Sequence, residues 1–444
     1  MEGVAMPRNL PNPVIVVPGI TATQLRDDYR LPPDSVWGVL SKDYERVVMH
    51  PDNLNYEAVQ PARIEPGELF DVAYRELIAE LRHDLPAKPD ETVPVFPFAY
   101  DWRQPLEATE VQLAAFVDEV IDRTSLLRHY DAGGWTSEPK VNLVGHSMGG
   151  LIIAGCLDML GPRARVGKVA TLATPFRGSF EAVIKVITGT SDLGPGVPSS
   201  RERDAARLTP SLYYLIPSFT DGLDIDDASS LPRTLFNMNL WQPNVVDTIG
   251  QWIKTHGLNK KSPKSQAIDL FGAMLRAADA HRQRIEAFRL EKANLAPGDW
   301  LAVVGVDATT RVRLRIQEKA GRPQFVLSGE DRRNYWGDRQ IPPEQWTITG
   351  DGTVPFAGAM PSFLEPRHLV CVVPDDYGYW EIGDKLFTRL AGFHGILPNM
   401  DMLHRMIVRH FTERPDKHRS TWGRMAPGVA EKDWAPAVDL GKPK

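Results

Sequence analysis

The sequence predicts an α/β fold: a mostly parallel sheet with helices on both faces and a mainly helical segment inserted into it. Three observations carry that expectation. Short apolar, β-branched runs alternate with helix-like stretches between Pro13 and Thr174, the pattern of parallel strands joined by helical crossovers. The alternation stops from Phe180 to Pro297 and resumes at Trp300. Between these parts, Lys140 to Leu160 reads as a buried strand running into a helix through Gly145-His146-Ser147-Met148-Gly149.

Each element has its own local reason. Pro13 to Pro18 is a β-branched run that breaks at Pro18-Gly19, so it reads as a buried strand leading into a loop. Leu31 to Asn55, with Trp37 and little periodicity, reads as a surface excursion. Glu68 to Leu85 sets Leu69, Ala73, Leu77 and Leu81 at helical spacing. Thr92 to Phe98 is a candidate strand, and Pro94 and Pro97 assign it to an edge or a bent end. Gln104 to Thr124 continues as a helix with Leu113, Phe116, Val117, Val120 and Ile121 on one side, and Val166 to Thr174 is a further strand.

The segment after Phe180 holds helix-like pieces at Glu181 to Ile187, Ser265 to Ala277 and His281 to Leu290, with no convincing run of buried strands. It reads as a cap, because an insertion between one strand and the next can cover a site at the strand ends. Within it, Pro210 to Pro217 is apolar and aromatic, suited either to the cap's own core or to an acyl-chain pocket. Lys254, Lys260, Lys261 and Lys264 form a charged loop, read as a solvated face with an anionic membrane surface as the alternative partner. Strands are then expected at Trp300 to Val306, Val312 to Ile316, Trp346 to Thr349, His368 to Val373 and Phe387 to Phe393, with a helix from Asn399 to Phe411. The resulting organisation is a first core part over 1–180, a cap over 181–297, a second core part over 298–411 and a polar tail over 412–444, expected to add little to the fold.

Composition excludes several classes. The chain has 444 residues, 42% hydrophobic and 24% charged, and a formal net charge of −6. That is ample material for a core and the wrong sign for a nucleic-acid binder. The first residues lack a positive segment followed by an apolar core, and no apolar run reaches the roughly 18 residues of a membrane span. Two cysteines, Cys156 and Cys371, read as buried thiols and fit a reducing cytoplasm.

The chemistry concentrates on Ser147. A serine on a sharp strand-to-helix turn takes up strained backbone angles, so close neighbours without side chains, Gly145 and Gly149, are required around it. Gly150, Ala154 and Gly155 leave room for the helix to lie close on its strand. The N–H of Met148, at the helix start, can bind a developing oxyanion. The loop after the first strand supplies a second such N–H, with Ile20 the first candidate and Thr21 the second. Asp351, between Gly350 and Gly352, can turn its carboxylate toward the serine edge of the sheet, and Asp307 is its rival. His394 can reach back over that edge, whereas His404 lies inside a helix and ranks second. Asp101 and Arg103 read as a structural ion pair. No cofactor and no metal is expected.

The chain order Ser147, Asp351, His394 is the order of α/β-hydrolases. The sequence resembles the lecithin:cholesterol acyltransferase-like branch of that fold, with its phospholipases and acyltransferases. The resemblance lies in Val16-Val17-Pro18-Gly19, Tyr100-Asp101-Trp102-Arg103, Gly145 to Gly150, Ala173-Thr174-Pro175-Phe176, Pro210-Ser211-Leu212-Tyr213 and Gly350 to Val354. It implies a lipid or other ester substrate, acyl transfer from Ser147, an acid at Asp351 and an oxyanion amide at Ile20. The family's histidine falls in the region of His394 and His404. The chain departs from the family at Thr21-Ala22-Thr23, where a Gly-containing turn is usual, and in lacking the disulfides of secreted members. An acyltransferase and a non-catalytic binding protein on the same fold are the competing expectations.

Overall fold

The computed structural model describes residues 10–39, 41–189, 199–337, 340–378, 381 and 392–441. Its centre is a six-stranded sheet of β1 (Val14–Val17), β2 (Val95–Pro97), β3 (Val141–His146), β4 (Val166–Leu172), β5 (Trp300–Gly305) and β6 (Leu369–Val372). The order across the sheet is β2-β1-β3-β4-β5-β6, and every neighbouring pair is parallel. All six C-terminal ends therefore open on one edge. The proline-bearing β2 lies at the rim of the sheet, where a missing ladder donor costs least.

Alternation along the strands divides the apolar residues between two cores. Ile15, Val17, Leu143, Val169 and Val304 join one; Val14, Val16, Val144, Leu172 and Val303 join the other. Each fully buried Val or Ile contributes roughly 1.5–3 kcal/mol, so a register slip of one residue would be costly. The first face is covered by α2 (Leu106–Ser125), α3 (Met148–Leu160) and, beyond them, α6 (Pro263–Ala287). The second is covered by α1 (Asp71–Asp84) and α7 (Asp401–Thr412). The inserted region also holds α4 (Phe180–Thr188) and α5 (Asn244–His256).

Several expected elements differ from those observed. Leu69 ends a strand, Ile64–Leu69, and α1 begins only at Asp71. The supposed surface excursion pairs Asp34–Trp37 with Thr23–Asp27 in a small antiparallel sheet, and Val36, Val47 and Val48 are buried within it. Two expected helices are one, because α6 runs unbroken through Ala278 and His281, both buried on its packed face. Val312 to Ile316 does not extend the main sheet: Leu314–Lys319 pairs instead with Arg322–Val326 and Leu223–Ile225. Trp346 to Thr349 is not a strand, since it follows a 3-10 turn at Pro343–Gln345. The expected strand from Phe387 to Phe393 lies mostly outside the described residues, and 392–396 is helical.

The C-terminal segment contributes more than its polarity suggested. Arg424 exchanges both backbone hydrogen bonds with Cys371 on β6 (2.8 and 3.0 Å), and Trp434 donates its indole N–H to the Leu369 carbonyl at 3.0 Å. Trp422 and Arg424 also hold Asp376. An edge strand left bare invites association, and here the tail covers it.

Candidate active site

The strand-to-helix turn at Ser147 is the strained element of the site. Ser147 has φ 53° and ψ −125°, a conformation that costs energy and persists only where its surroundings enforce it. The surroundings do so through close backbone approach. A Cβ at Gly149 would lie 2.2 Å from the Val17 carbonyl oxygen, and one at Gly145 would lie 2.9 Å from the Gly150 backbone. Gly155 differs from expectation: the atom it leaves room for is Glu110 Oε1 on α2, at 1.8 Å from a hypothetical Cβ, not the strand.

Ser147, His394 and Asp351 come together although the first two are 247 residues apart in the chain. His394 Nε2 is 2.9 Å from Ser147 Oγ, and His394 Nδ1 is 2.7 Å from Asp351 Oδ2. A carboxylate only accepts, so Nδ1 carries the proton, Nε2 is left as an acceptor, and the serine hydroxyl donates to it. The other Asp351 oxygen accepts the N–H groups of Thr353 (2.9 Å) and Val354 (2.6 Å). The His394 N–H donates to the Asp351 carbonyl at 3.1 Å, so main chain and side chain tie the two residues in one register. All three are buried, at 5%, 4% and 1% exposure for Ser147, His394 and Asp351.

Asp351 arrives on a loop. That loop bridges to Ala308, just past β5, and Asp351 rests on the strand's last residue, where a Cβ at Gly305 would be 2.6 Å from the Asp351 Cβ. Gly305 was missed in the sequence, its only signal being a glycine at the end of an apolar run. The rival Asp307 is turned elsewhere, accepting from the Asn334 amide at 2.9 Å. His404 is buried on α7 and its Nε2 lies 2.6 Å from the Pro398 carbonyl, well occupied away from Ser147.

The loop after β1 packs directly on the serine. A Cβ at Gly19 would meet Ser147 Cβ at 3.0 Å and Oγ at 3.5 Å, which sets the next residue, Ile20, beside Ser147. Ile20 is 8% exposed and Met148 fully buried. Thr21 sits in the left-handed region, φ 62°, and its carbonyl accepts the Trp37 indole N–H at 2.9 Å. Trp37 in turn packs on Trp102 at 4.9 Å between ring centroids. These contacts use the excursion that sequence patterning left without a role.

Asp101 and Arg103 form the expected ion pair, with the guanidinium donating to both carboxylate oxygens at 2.8 and 2.6 Å. Burial alone would raise the Asp101 carboxyl, but the charge and hydrogen bonds of Arg103 hold it below its ordinary value. Pro210–Tyr213 is helical and buried; Tyr213 packs edge-on against Phe271 at 5.9 Å, which makes this stretch core of the inserted region. The expected charged loop is shorter than its lysines: Lys254 lies on the last turn of α5 and Lys264 on the first turn of α6, while the stretch is mostly exposed and Lys261 pairs with Asp269 at 3.0 Å. Cys156 and Cys371 are buried free thiols, each pushed up to about 12 chiefly by burial. Among the described residues, no helix is long and apolar enough to cross a membrane.

The family model described as lecithin:cholesterol acyltransferase matches residues 73–260, which include Ser147 but neither Asp351 nor His394. No curated protein sequence matches the chain. Among solved structures, a chain of the Tle4-Tli4 complex superposes with a TM-score of 0.53 at 16% sequence identity, covering 79% of this chain and 89% of that one. At that identity the likeness speaks to the fold, and the fold agrees with the central parallel sheet and its two helical layers. The chain thus has an α/β-hydrolase fold, and its residues 73–260 are similar to the lecithin:cholesterol acyltransferase family.

Proposed function

We propose that this protein cleaves carboxylic esters, lipid or phospholipid esters foremost, through an acyl intermediate on Ser147. The observation that carries the reading is the continuous hydrogen-bonded line from Ser147 Oγ through the His394 ring to Asp351 Oδ2, at 2.9 and 2.7 Å. In this reading Ser147 Oγ attacks the acyl carbon while its proton passes to His394 Nε2. Asp351 keeps the imidazole in the required tautomer and stabilises its positive charge. The tetrahedral oxyanion is bound by the N–H groups of Met148 and Ile20, each worth roughly 3 kcal/mol of barrier. Neither amide hydrogen-bonds to another described residue. Collapse expels the alcohol, which takes its proton from His394. A water molecule, deprotonated by His394, then releases the acid and restores Ser147.

Residues 181–297 act in this scheme as the cap. Two contacts support that role: the Ser211 N–H donates to the Arg103 carbonyl at 3.4 Å, and Arg282 donates to the Pro175 carbonyl at 3.3 Å. Arg103 follows β2 and Pro175 follows β4, so the inserted region is tied to loops at the same sheet edge as Ser147. The lecithin:cholesterol acyltransferase match favours a second reading, in which an alcohol replaces water as acyl acceptor.

The test is treatment of purified protein with a fluorophosphonate, mass mapping of the modified peptide and a chain-length series of p-nitrophenyl esters. We expect modification at Ser147 and a preference for long acyl chains. Absence of modification in folded protein would overturn the acyl-serine reading. Product analysis with and without added alcohol separates the two acceptors, and free acid alone in both would eliminate the transferase.

A further inference from the structure

A second hydrogen-bonded set borders the site, and none of its side chains takes part in the steps above. The Gly19 N–H donates to Tyr74 Oη at 2.9 Å. Tyr74 Oη is 2.7 Å from His146 Nδ1, and His146 Nε2 is 2.9 Å from the main-chain carbonyl of His394. A carbonyl only accepts, so Nε2 of His146 carries the proton and Nδ1 is free to accept the tyrosine O–H. Every direction follows from that one fact: Gly19 to Tyr74, Tyr74 to His146, His146 to His394.

The ends of this line matter. Gly19 immediately precedes Ile20, His146 immediately precedes Ser147, and the last acceptor is the backbone of His394 itself. The oxyanion loop, the nucleophile turn and the helical turn that carries His394 are thus joined by two buried side chains, Tyr74 at 1% and His146 at 4% exposure. The His146 and His394 rings also lie 5.1 Å apart between centroids, tilted by 37°. Burial and the neighbouring His394 push His146 down to about 3. A neutral His146 beside His394 leaves the latter able to take up the serine proton without a second positive charge against it.

We propose that Tyr74 and His146 are positioning residues whose hydrogen bonds hold the Gly19–Ile20 peptide and the His394 main chain in register with Ser147. The inference rests on the acyl-serine reading and deepens it. Small misplacements of reacting groups cost rate far more than binding, up to about a hundredfold for 1 Å. Loss of the line therefore acts on kcat.

The test compares the full-length wild type with Tyr74→Phe, His146→Gln and His146→Leu, measuring kcat and KM on a p-nitrophenyl ester, the rate of fluorophosphonate labelling, and Tm. Phe removes both hydrogen bonds of the tyrosine while keeping its ring. Gln keeps a donor in reach of the His394 carbonyl, whereas Leu keeps only volume. We expect kcat to fall on the order of tenfold in Tyr74→Phe and up to a hundredfold in His146→Leu, with KM within about twofold and a substantial recovery in His146→Gln. A folded Tyr74→Phe protein with wild-type kcat, or equal activity of the Gln and Leu variants, would overturn the proposal. Should Tyr74→Phe and His146→Leu both fail to fold, His146→Gln against wild type decides it, since Gln restores only one of two bonds and an unchanged kcat contradicts the role. Wild type that resists labelling at Ser147 sinks the acyl-serine reading and this inference with it. Labelled wild type with unaffected variants sinks the inference alone.

Discussion

At the scale of single residues, the site is a set of donor and acceptor assignments that substitutions can break one at a time. Ser147→Ala removes one oxygen from a buried turn, so labelling and ester hydrolysis should vanish while the thermal midpoint holds. Asp351→Asn is the more informative change. An amide can donate to His394 Nδ1 and so favours the wrong tautomer, and under the acyl-serine reading kcat is expected to drop by roughly 10⁴-fold, the loss that the same change causes in a serine–histidine–aspartate triad. The two histidines should separate by readout. His394→Ala removes the partner of Ser147 Oγ and should abolish turnover. His404→Ala breaks a buried bond to the Pro398 carbonyl, so it should lower Tm by several degrees with kcat nearly intact. The opposite ranking, read from kcat and Tm on the same preparations, would overturn the assignment.

At the scale of elements, the helix that follows Ser147 is held by its neighbours through a buried polar cluster. Glu110 on α2 accepts from Arg284 of α6 through both oxygens (2.8 and 2.6 Å) and lies 2.7 Å from His281 Nε2 of the same helix. Arg284 also donates to the Gly155 carbonyl on α3 at 3.0 Å. One carboxylate thus joins three helices, over a glycine that leaves it space. Glu110→Ala would empty that space and strand two basic groups, one of them wholly buried. We expect a loss of about 3 kcal/mol in urea unfolding, the low end for a broken buried ion pair, because Arg284 retains Asp158 at 3.6 Å. A change under about 0.5 kcal/mol would mean that apolar packing alone secures α6.

At the scale of the whole molecule, stability should depend on pH in a direction the buried histidines determine. Burial holds His146 down to about 3 and His410 down to about 4, with nearby charged or polar partners secondary. In the unfolded chain both titrate near the ordinary value of about 6.5. Between those limits the unfolded state binds more protons than the folded one, so unfolding free energy rises with pH across that window. The stabilisation is complete above about pH 6.5 and is lost as pH falls toward 3 to 4. Asp101, held low by Arg103, acts in the same sense at the acid end. Urea midpoints at pH 4.5, 5.5, 6.5 and 7.5 should therefore climb and then level off; a midpoint that is flat from 4.5 to 7.5 would contradict neutral burial of these rings.

The sequence by itself determined what depends on neighbours along the chain. The short apolar runs at Val14–Val17 and Val141–Val144, helical spacing of Ala73, Leu77 and Leu81, and the paired glycines around Ser147 are local statements of burial and steric room, so the sheet, its helices and the serine turn were legible. The chain order of a serine, an acid and a histidine was legible for the same reason. What only the tertiary structure decided is which distant groups meet. Asp351 stands on a loop bridged to Ala308 and packed on Gly305, and the strand expected just before it at Trp346 to Thr349 is absent. Leu314–Lys319 left the main sheet for partners of its own, because short apolar runs carry no record of which strand they pair with. The polar tail found the bare edge of β6 through two tryptophans and a backbone bridge. Sequence patterning assigned Tyr74 and His146 no role. Their hydrogen bonds join segments far apart in the chain, and such contacts are set by the packing of the whole sheet rather than by any local pattern.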